Sequence, residues 1–463
     1  MRPASEASAA RPQSREVEMP SVEEIKANAF REIDSRAGEI IGVSKSILDN
    51  PEPGFREVKT SALVAATLKE MGVPIRENIA LTGIKGELRG GGNGPSVAVM
   101  GELDSLIVKE HPHADSGTGA AHACGHHAQI GMMLGAAMGL LASDVLPSLS
   151  GRVVLIAVPA EEYIEIEYRD ELRRQGKIEF LGGKPEFIRL GQLDDVDIAM
   201  MCHTTSNPEE GQLCISGTNN GIVAKRIQFL GRGSHAGGAP HLGINALNAA
   251  SLALMAIHAN RETFRDEDTI RVHPIITKGG EAVSAVPADV RMETFVRGKT
   301  LDAVLEANRK VDRALKAGAM AIGGKVNIQT IPGYLPLRQN GALADVFRAN
   351  AVSIVGEDNV GRVEHRTGST DMGDVSHLMP VIHPYVGGAT GLGHGADYVV
   401  QDYGIAVVAA AKALASTVVD LLADGAALGG KIASQHNAAM STKEYLNFMR
   451  GLAKEQLFDY TEA

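Results

Sequence analysis

The chain has 463 residues, 44% of them hydrophobic and 22% charged, an ordinary globular composition in a length that exceeds one domain. Its 45 basic and 56 acidic residues leave a net charge of −11, which argues against a nucleic-acid or anionic-membrane partner, since either wants a basic patch. The three cysteines, Cys124, Cys202 and Cys214, suggest no disulfide framework and therefore a reducing, cytoplasmic setting, and no apolar run approaches the roughly 18 residues of a membrane span.

Residues 1–21 are rich in Ala, Ser, Arg and Pro, lack the apolar stretch of a secretory signal, and read as a disordered tail. From Ser21 the apolar spacing is helical, with Ser21 and Glu24 forming a capping-box signal and Pro51 and Pro53 ending the helix. A second short helix spans 60–71. PSVAVMGELDSL (95–106) reads as a buried strand whose end carries Glu102 and Asp104. A buried helix starts at Cys124, and GRVVLIAVPAEEY (151–163) and VDIAMMCHTT (196–205) are the next strands. Apolar strands alternating with helices imply an α/β layered domain whose ligand crevice lies beyond the carboxyl ends of the strands.

The texture changes near Gly217. Segments 217–333 read β-α-β-β-α-β, the ferredoxin-like pattern, and form an inserted domain. The α/β texture resumes over 334–430 and completes a metal-binding catalytic domain with 22–216. Residues 431–463 read as a polar helical extension.

Chemistry concentrates at the strand ends and loops. AHACGHH packs His122, Cys124, His126 and His127 into six positions, and thiolate with imidazole is the ligand set of zinc and its neighbours. The one-residue gap between Cys124 and His126 differs from that of structural zinc knuckles. Glu161 and Glu162 are adjacent at a strand end, so one can bind a metal while the other faces substrate; a solvated pair is the alternative. His203, taken alone, reads equally as a buried, hydrogen-bonded histidine, and His394, between two glycines, as a surface loop residue. Together these positions suit one or two close divalent ions.

The motifs GELDSL, HACGH, PAEE, MMCHT, SHAGGAPHLGINAL, GSTDMGDVS and GHGADY, in this order, resemble the co-catalytic metallohydrolases that include aminoacylases, plant auxin-conjugate amidohydrolases and p-aminobenzoyl-glutamate hydrolase. The resemblance implies a mixed-sheet, three-layer α/β catalytic domain and a homodimer formed through 217–333. It implies Cys124, His126, Glu162, His203 and His394 as ligands of Zn, Mn, Co or Ni, with Cys124 bridging. It makes Glu161 the general base, Asp104 an orienting acid, and His235 a substrate-binding and oxyanion-stabilising residue that reaches the partner subunit's site. His235 alone reads as a structural residue of its turn. His127 and Ser284 depart from the family; Ser284 stands where an Asn usually meets the substrate, and a hydroxyl offers fewer hydrogen bonds than an amide. The implied activity on its small-molecule substrate is hydrolysis of the amide of an N-acyl or N-aroyl amino acid. Deamination of an activated aromatic amine of the nitroanthranilate type, releasing ammonia, is the alternative. A merely ligand-binding protein is disfavoured because the base and all five ligand positions are filled.

Overall fold

The three apolar runs are the middle of one six-stranded sheet. The computed structural model describes residues 20–462, and the tail expected over 1–21 lies almost wholly outside them. The sheet runs Ile75–Ile79, Gly83–Arg89, Ser150–Val158, Gly92–Glu102, Ile198–Met200, Val381–Ile382. Its first three strands pair antiparallel and the remainder parallel, so the sheet is mixed.

Both faces of this sheet are covered, which is why its central strands are apolar without alternation. Val97, Val99, Val153 and Leu155 pack into one core with the helices Val22–Ser35, Ala37–Leu48, His126–Leu140 and Ala410–Leu422. Ala98, Met100, Val154 and Ile156 pack into another with Phe187, Met372 and Tyr445. In helix His126–Leu140, Gly131, Gly135 and Gly139 line up at four-residue spacing, and a Cβ at each would come within 2.9 Å of Ser44, Ala411 or Ile33. These glycines let three helices approach the one that begins at the histidines.

Several elements differ from expectation. The first helix is two, broken at Arg36. The helix Gly404–Leu422 is, by length and apolarity, able to cross a membrane, contrary to the sequence reading, but 83% of its apolar window is buried in the protein, as a core helix is. A four-stranded sheet of Val360–Arg366, Leu213–Asn219, Tyr385–Val386 and His203–Thr204 was not anticipated.

Residues 221–332 build a second, antiparallel sheet in the order Arg271–Val272, Asp289–Gly298, Gly221–Leu230, Lys325–Pro332, with helices Ala246–Ala259 and Leu301–Ala321 packed on it. Its edge strand breaks at Pro274, which has no N–H to donate, and continues as Ile275–Lys278.

The C-terminal extension is not wholly helical. After helix Thr442–Leu452, the strand Lys454–Asp459 pairs with 325–330 and adds to the second sheet. The helix is held on the central sheet's side by Tyr445, fully buried, whose hydroxyl donates to Asp374 Oδ1 at 2.9 Å. The extension therefore straps the two sheets together. A second tie is Asp170, which accepts from Arg226 Nη1 at 3.0 Å and Gln329 Nε2 at 3.2 Å.

Candidate functional site

Two of the parallel strands end level, Glu102 opposite Val158, and the strand Ile198–Met200 ends beside them opposite Val99, three residues earlier, so the residues just beyond all three converge. Asp104 is fully buried at the centre. It accepts from His126 Nδ1 through Oδ1 at 3.2 Å and through its carbonyl at 2.9 Å, and from the Glu162 N–H through Oδ2 at 2.9 Å. Since both partners of Nδ1 are acceptors, Nδ1 carries a proton, and when a cation is bound Nε2 presents a lone pair to it. Nε2 finds no hydrogen-bond partner among the described residues and faces Glu102 Oε2 at 3.1 Å and Glu161 Oε2 at 3.9 Å.

His203 is oriented the same way. Its Nδ1 donates to the Thr204 carbonyl at 2.8 Å, leaving Nε2 3.3 Å from Cys124 Sγ. His394 Nε2 lies 3.5 Å from Glu162 Oε1, a buried oxygen also without a hydrogen-bond partner among the described residues. The donor atoms of Cys124, His126 and His203 all lie within 4.8 Å of one another, and so do those of Cys124, Glu162 and His394. Buried lone pairs that face only other lone pairs need a cation between them, and S, N and O donors in this mixture suit a divalent transition ion. A third group at the same spacing is Glu102, His126 and Glu161.

The local backbone explains these directions. Gly125 has φ 92°, and a Cβ there would sit 2.1 Å from Thr204 Oγ1, so only glycine turns the chain from Cys124 into the helix. Ala160 (φ 55°) and His394 (φ 64°) take the same left-handed region without being glycine, at about 1–2 kcal/mol each.

The charges are strongly perturbed. Burial, then Glu162, pushes the Cys124 thiol well above its ordinary value, so it becomes a thiolate only beside a cation. Burial, then Glu102, Glu162 and Asp371, pushes Glu161 well above the carboxylate range. Burial and then His126 bring His203 down to about 4.

Behind the site runs an ion network that the sequence reading missed. Lys184, 1% exposed, donates from Nζ to Glu102 Oε1 at 2.5 Å and to Asp371. The segment around it, IEFLGGKPEFIRL (178–190), carries three other charged residues, so the lysine did not stand out. In front of the site is a cavity of about 260 Å³ lined by Tyr163, Phe295, Tyr334, Tyr385, Asn219 and Arg297 together with Cys124, Glu161, Glu162, His203 and His394. Arg297 comes from the second sheet; one Nη donates to Ser369 Oγ at 3.2 Å, and its Nε has no partner among the described residues.

His235 and Ser284 are exposed and are not among the residues that line this cavity. They sit together beside the second sheet, where the Ala236 N–H donates to the Ser284 carbonyl at 2.8 Å. His235 Nδ1 accepts from the N–H groups of Gly237 and Gly238, so its Nε2 points away from its own turn. His127 is buried beside Tyr403, 3.1 Å from its hydroxyl, and belongs to the core.

The model of peptidase family M20/M25/M40 matches residues 98–419. The chain is 27% identical to IAA-amino acid hydrolase ILR1-like 4 of Arabidopsis thaliana over 362 residues, covering 75% of this chain and 77% of that protein. It is 26% identical to the Xaa-Arg dipeptidase of Mus musculus over 452 residues, covering 92% and 95%. Its fold is similar to that of Bacillus subtilis YXEP protein, a dinuclear metal binding peptidase, with a TM-score of 0.62 at 20% identity over 84% of this chain and 99% of that one.

Proposed function

We propose, for a chain that belongs to peptidase family M20/M25/M40 and is a hydrolase acting on carbon–nitrogen bonds, that it cleaves the amide of an N-acyl or N-aroyl amino acid. Cys124, His126 and His203 would hold one divalent ion, Zn, Mn, Co or Ni, and Cys124, Glu162 and His394 a second, with Cys124 shared. Such ions, when bound, polarise a carbonyl and lower the pKa of a water.

The rest falls to the chain's own side chains. Glu161 takes a proton from the water whose oxygen attacks the acyl carbon. It returns that proton to the nitrogen as the C–N bond breaks, so acid and amine leave in balance. Burial and its anionic neighbours give Glu161 high proton affinity, and cations beside it draw that affinity back toward the range a base needs. Asp104 fixes the imidazole of His126 and the backbone of Glu162 together. Arg297, partly stripped of water and short of partners, is placed to receive the carboxylate of the amino-acid half. The aromatic rings of Tyr163, Phe295 and Tyr334 flank that position and suit an apolar acyl group.

His235 and Ser284 would serve a second copy of the chain. The inserted segment exposes Met255, Ile275 and Ile276 at 67%, 59% and 40% on a helix and the strand at the sheet's edge, an apolar margin that a two-fold contact would cover. His235 would then donate to the oxyanion that forms in the partner's site.

The observation that carries this reading is the pair of three-donor groups sharing one sulfur, with Glu161 beside them. The test is to load the protein with Mn, Zn or Co and offer p-aminobenzoyl-glutamate, a panel of N-acyl amino acids and nitroanthranilate. Release of a free amino acid supports the proposal. Ammonia from nitroanthranilate with every amide intact would replace it with ring deamination.

A further inference from the structure

The turn 160–162 carries both adjacent glutamates, and its backbone is gripped by side chains from three distant segments and from the helix Ile166–Arg174 that follows it. The Ala160 N–H donates to Glu57 Oε1 at 2.8 Å, and the Ala160 carbonyl accepts from Arg169 Nη1 at 3.2 Å. The Glu161 carbonyl accepts from the Tyr334 hydroxyl, and the Glu162 N–H donates to Asp104 at 2.9 Å. Glu57 is itself fixed, because its second oxygen accepts from Thr82 Oγ1 at 2.6 Å. Both Glu57 and Arg169 are fully buried.

Burying a carboxylate and a guanidinium with no ion pair between them is costly, and the structure shows what their placement achieves. Ala160 lies at φ 55°, where a Cβ is disfavoured and a free alanine would leave for negative φ. Its two backbone polar groups are the ones that Glu57 and Arg169 hold. Rotation about φ and ψ at 160 is also the motion that would swing Glu161 and Glu162 together, since both follow it directly on the turn.

We propose that Glu57 and Arg169 are positioning residues that hold Ala160 in its left-handed conformation and thereby aim Glu161 at the substrate and Glu162 at the ion. This rests on the reading of Glu161 as base and Glu162 as ligand.

The strain makes a specific signature available. Glycine adopts φ near 55° without penalty, so an A160G chain needs the clamp less. In the Ala160 background, Glu57→Met removes the acceptor at similar volume and should lower kcat about tenfold and weaken Co²⁺ binding by a similar factor, read by visible absorption. In the A160G background both losses should shrink to about threefold or less. Glu57→Gln, which keeps an acceptor for Ala160 and can donate to Thr82, should stay close to the wild type in both backgrounds. If E57M does not fold, Thr82→Val frees Glu57 more gently, and its smaller loss should likewise be relieved by A160G. Equal or larger losses in the A160G background would overturn the clamp, because a residue that only stabilises the core is indifferent to φ at 160. An E161Q control separates the two levels. An active E161Q protein refutes the assignment of the base, whereas an inactive one with no relief by A160G refutes the clamp alone. The turnover assay uses the N-acyl amino acid of the panel that the wild type cleaves fastest.

Discussion

Lys184→Met isolates the buried ion network. The ammonium is the cation shared by Glu102 and Asp371, and all three groups are at most 1% exposed. Removing one partner of a buried ion pair costs about 3–5 kcal/mol, since the charge left behind has lost its solvation and its counterion. The structure favours the low end. Asp371 keeps the Lys184 backbone N–H at 2.9 Å and Glu102 keeps the Gln129 amide at 2.9 Å, so neither carboxylate is stripped of every donor. We therefore expect a loss of about 3 kcal/mol near pH 7.5, from urea unfolding of the chelator-treated protein, where no metal competes for Glu102. The pH dependence adds a sign. Burial acts to raise Glu102, but Lys184, then His126 and His203, hold it down at about 2 against an ordinary 4.5. In the wild type this contribution is complete above 4.5 and is lost as pH falls toward 2. In the mutant, burial prevails and the folded value rises above 4.5, so the penalty is greatest at neutral pH and shrinks as the carboxyl takes up its proton. A mutant within about 1 kcal/mol of the wild type near pH 7.5, or one whose deficit grows on going to about pH 5, would refute this account of the network.

Glu161→Gln should retain its metal, measured by atomic absorption, while kcat falls by at least about 10²-fold, the ordinary worth of a general base. Cys124→Ala removes the atom common to both donor groups and should lower metal content at both positions; His203→Ala should empty only one. Mixing inactive His235→Ala and inactive Glu161→Gln chains should restore part of the activity if His235 serves the partner's site, and unmixed controls should not; absence of rescue would return His235 to a structural role. Leu457→Pro breaks the ladder between 454–459 and 325–330, and should raise amide exchange along 325–330 while leaving the central sheet unchanged.

The site was legible where chemistry is dense in sequence. Cys124 and His126 are separated by one residue, and Glu161 and Glu162 are neighbours, so local reading sufficed to single them out. Glu102 stands in the same motif as Asp104 but looked like the polar end of an apolar strand. What gives it meaning is Lys184, 82 positions away, and behind that Asp371, a further 187 away. No periodicity reports such a pairing. The strand 454–459 failed for a different reason. KEQLFD has no alternation, only Leu457 and Phe458 are apolar and they are adjacent, and most of the segment is exposed. It is extended because the edge of 325–332 supplies a ladder of unpaired backbone groups, a tertiary cause that outweighs its own weak preference.

Backbone conformation is the remaining level. Of the four segments that carry the proposed donor atoms, three bend through the left-handed region, at residues 125, 160 and 394, and the fourth is the strand His203–Thr204. Only the first announces itself, as glycine. At 160 and 394 the chain uses alanine and histidine, so the conformation is imposed from outside: by Glu57 and Arg169 at one, and at the other by the Ala123 carbonyl, which accepts the His394 N–H at 2.9 Å. A histidine proposed as a ligand cannot also be the glycine its φ prefers, and the segment carrying Cys124 supplies the restraint instead. The donor loops thus hold one another, and removing either should loosen the other before any ion is lost.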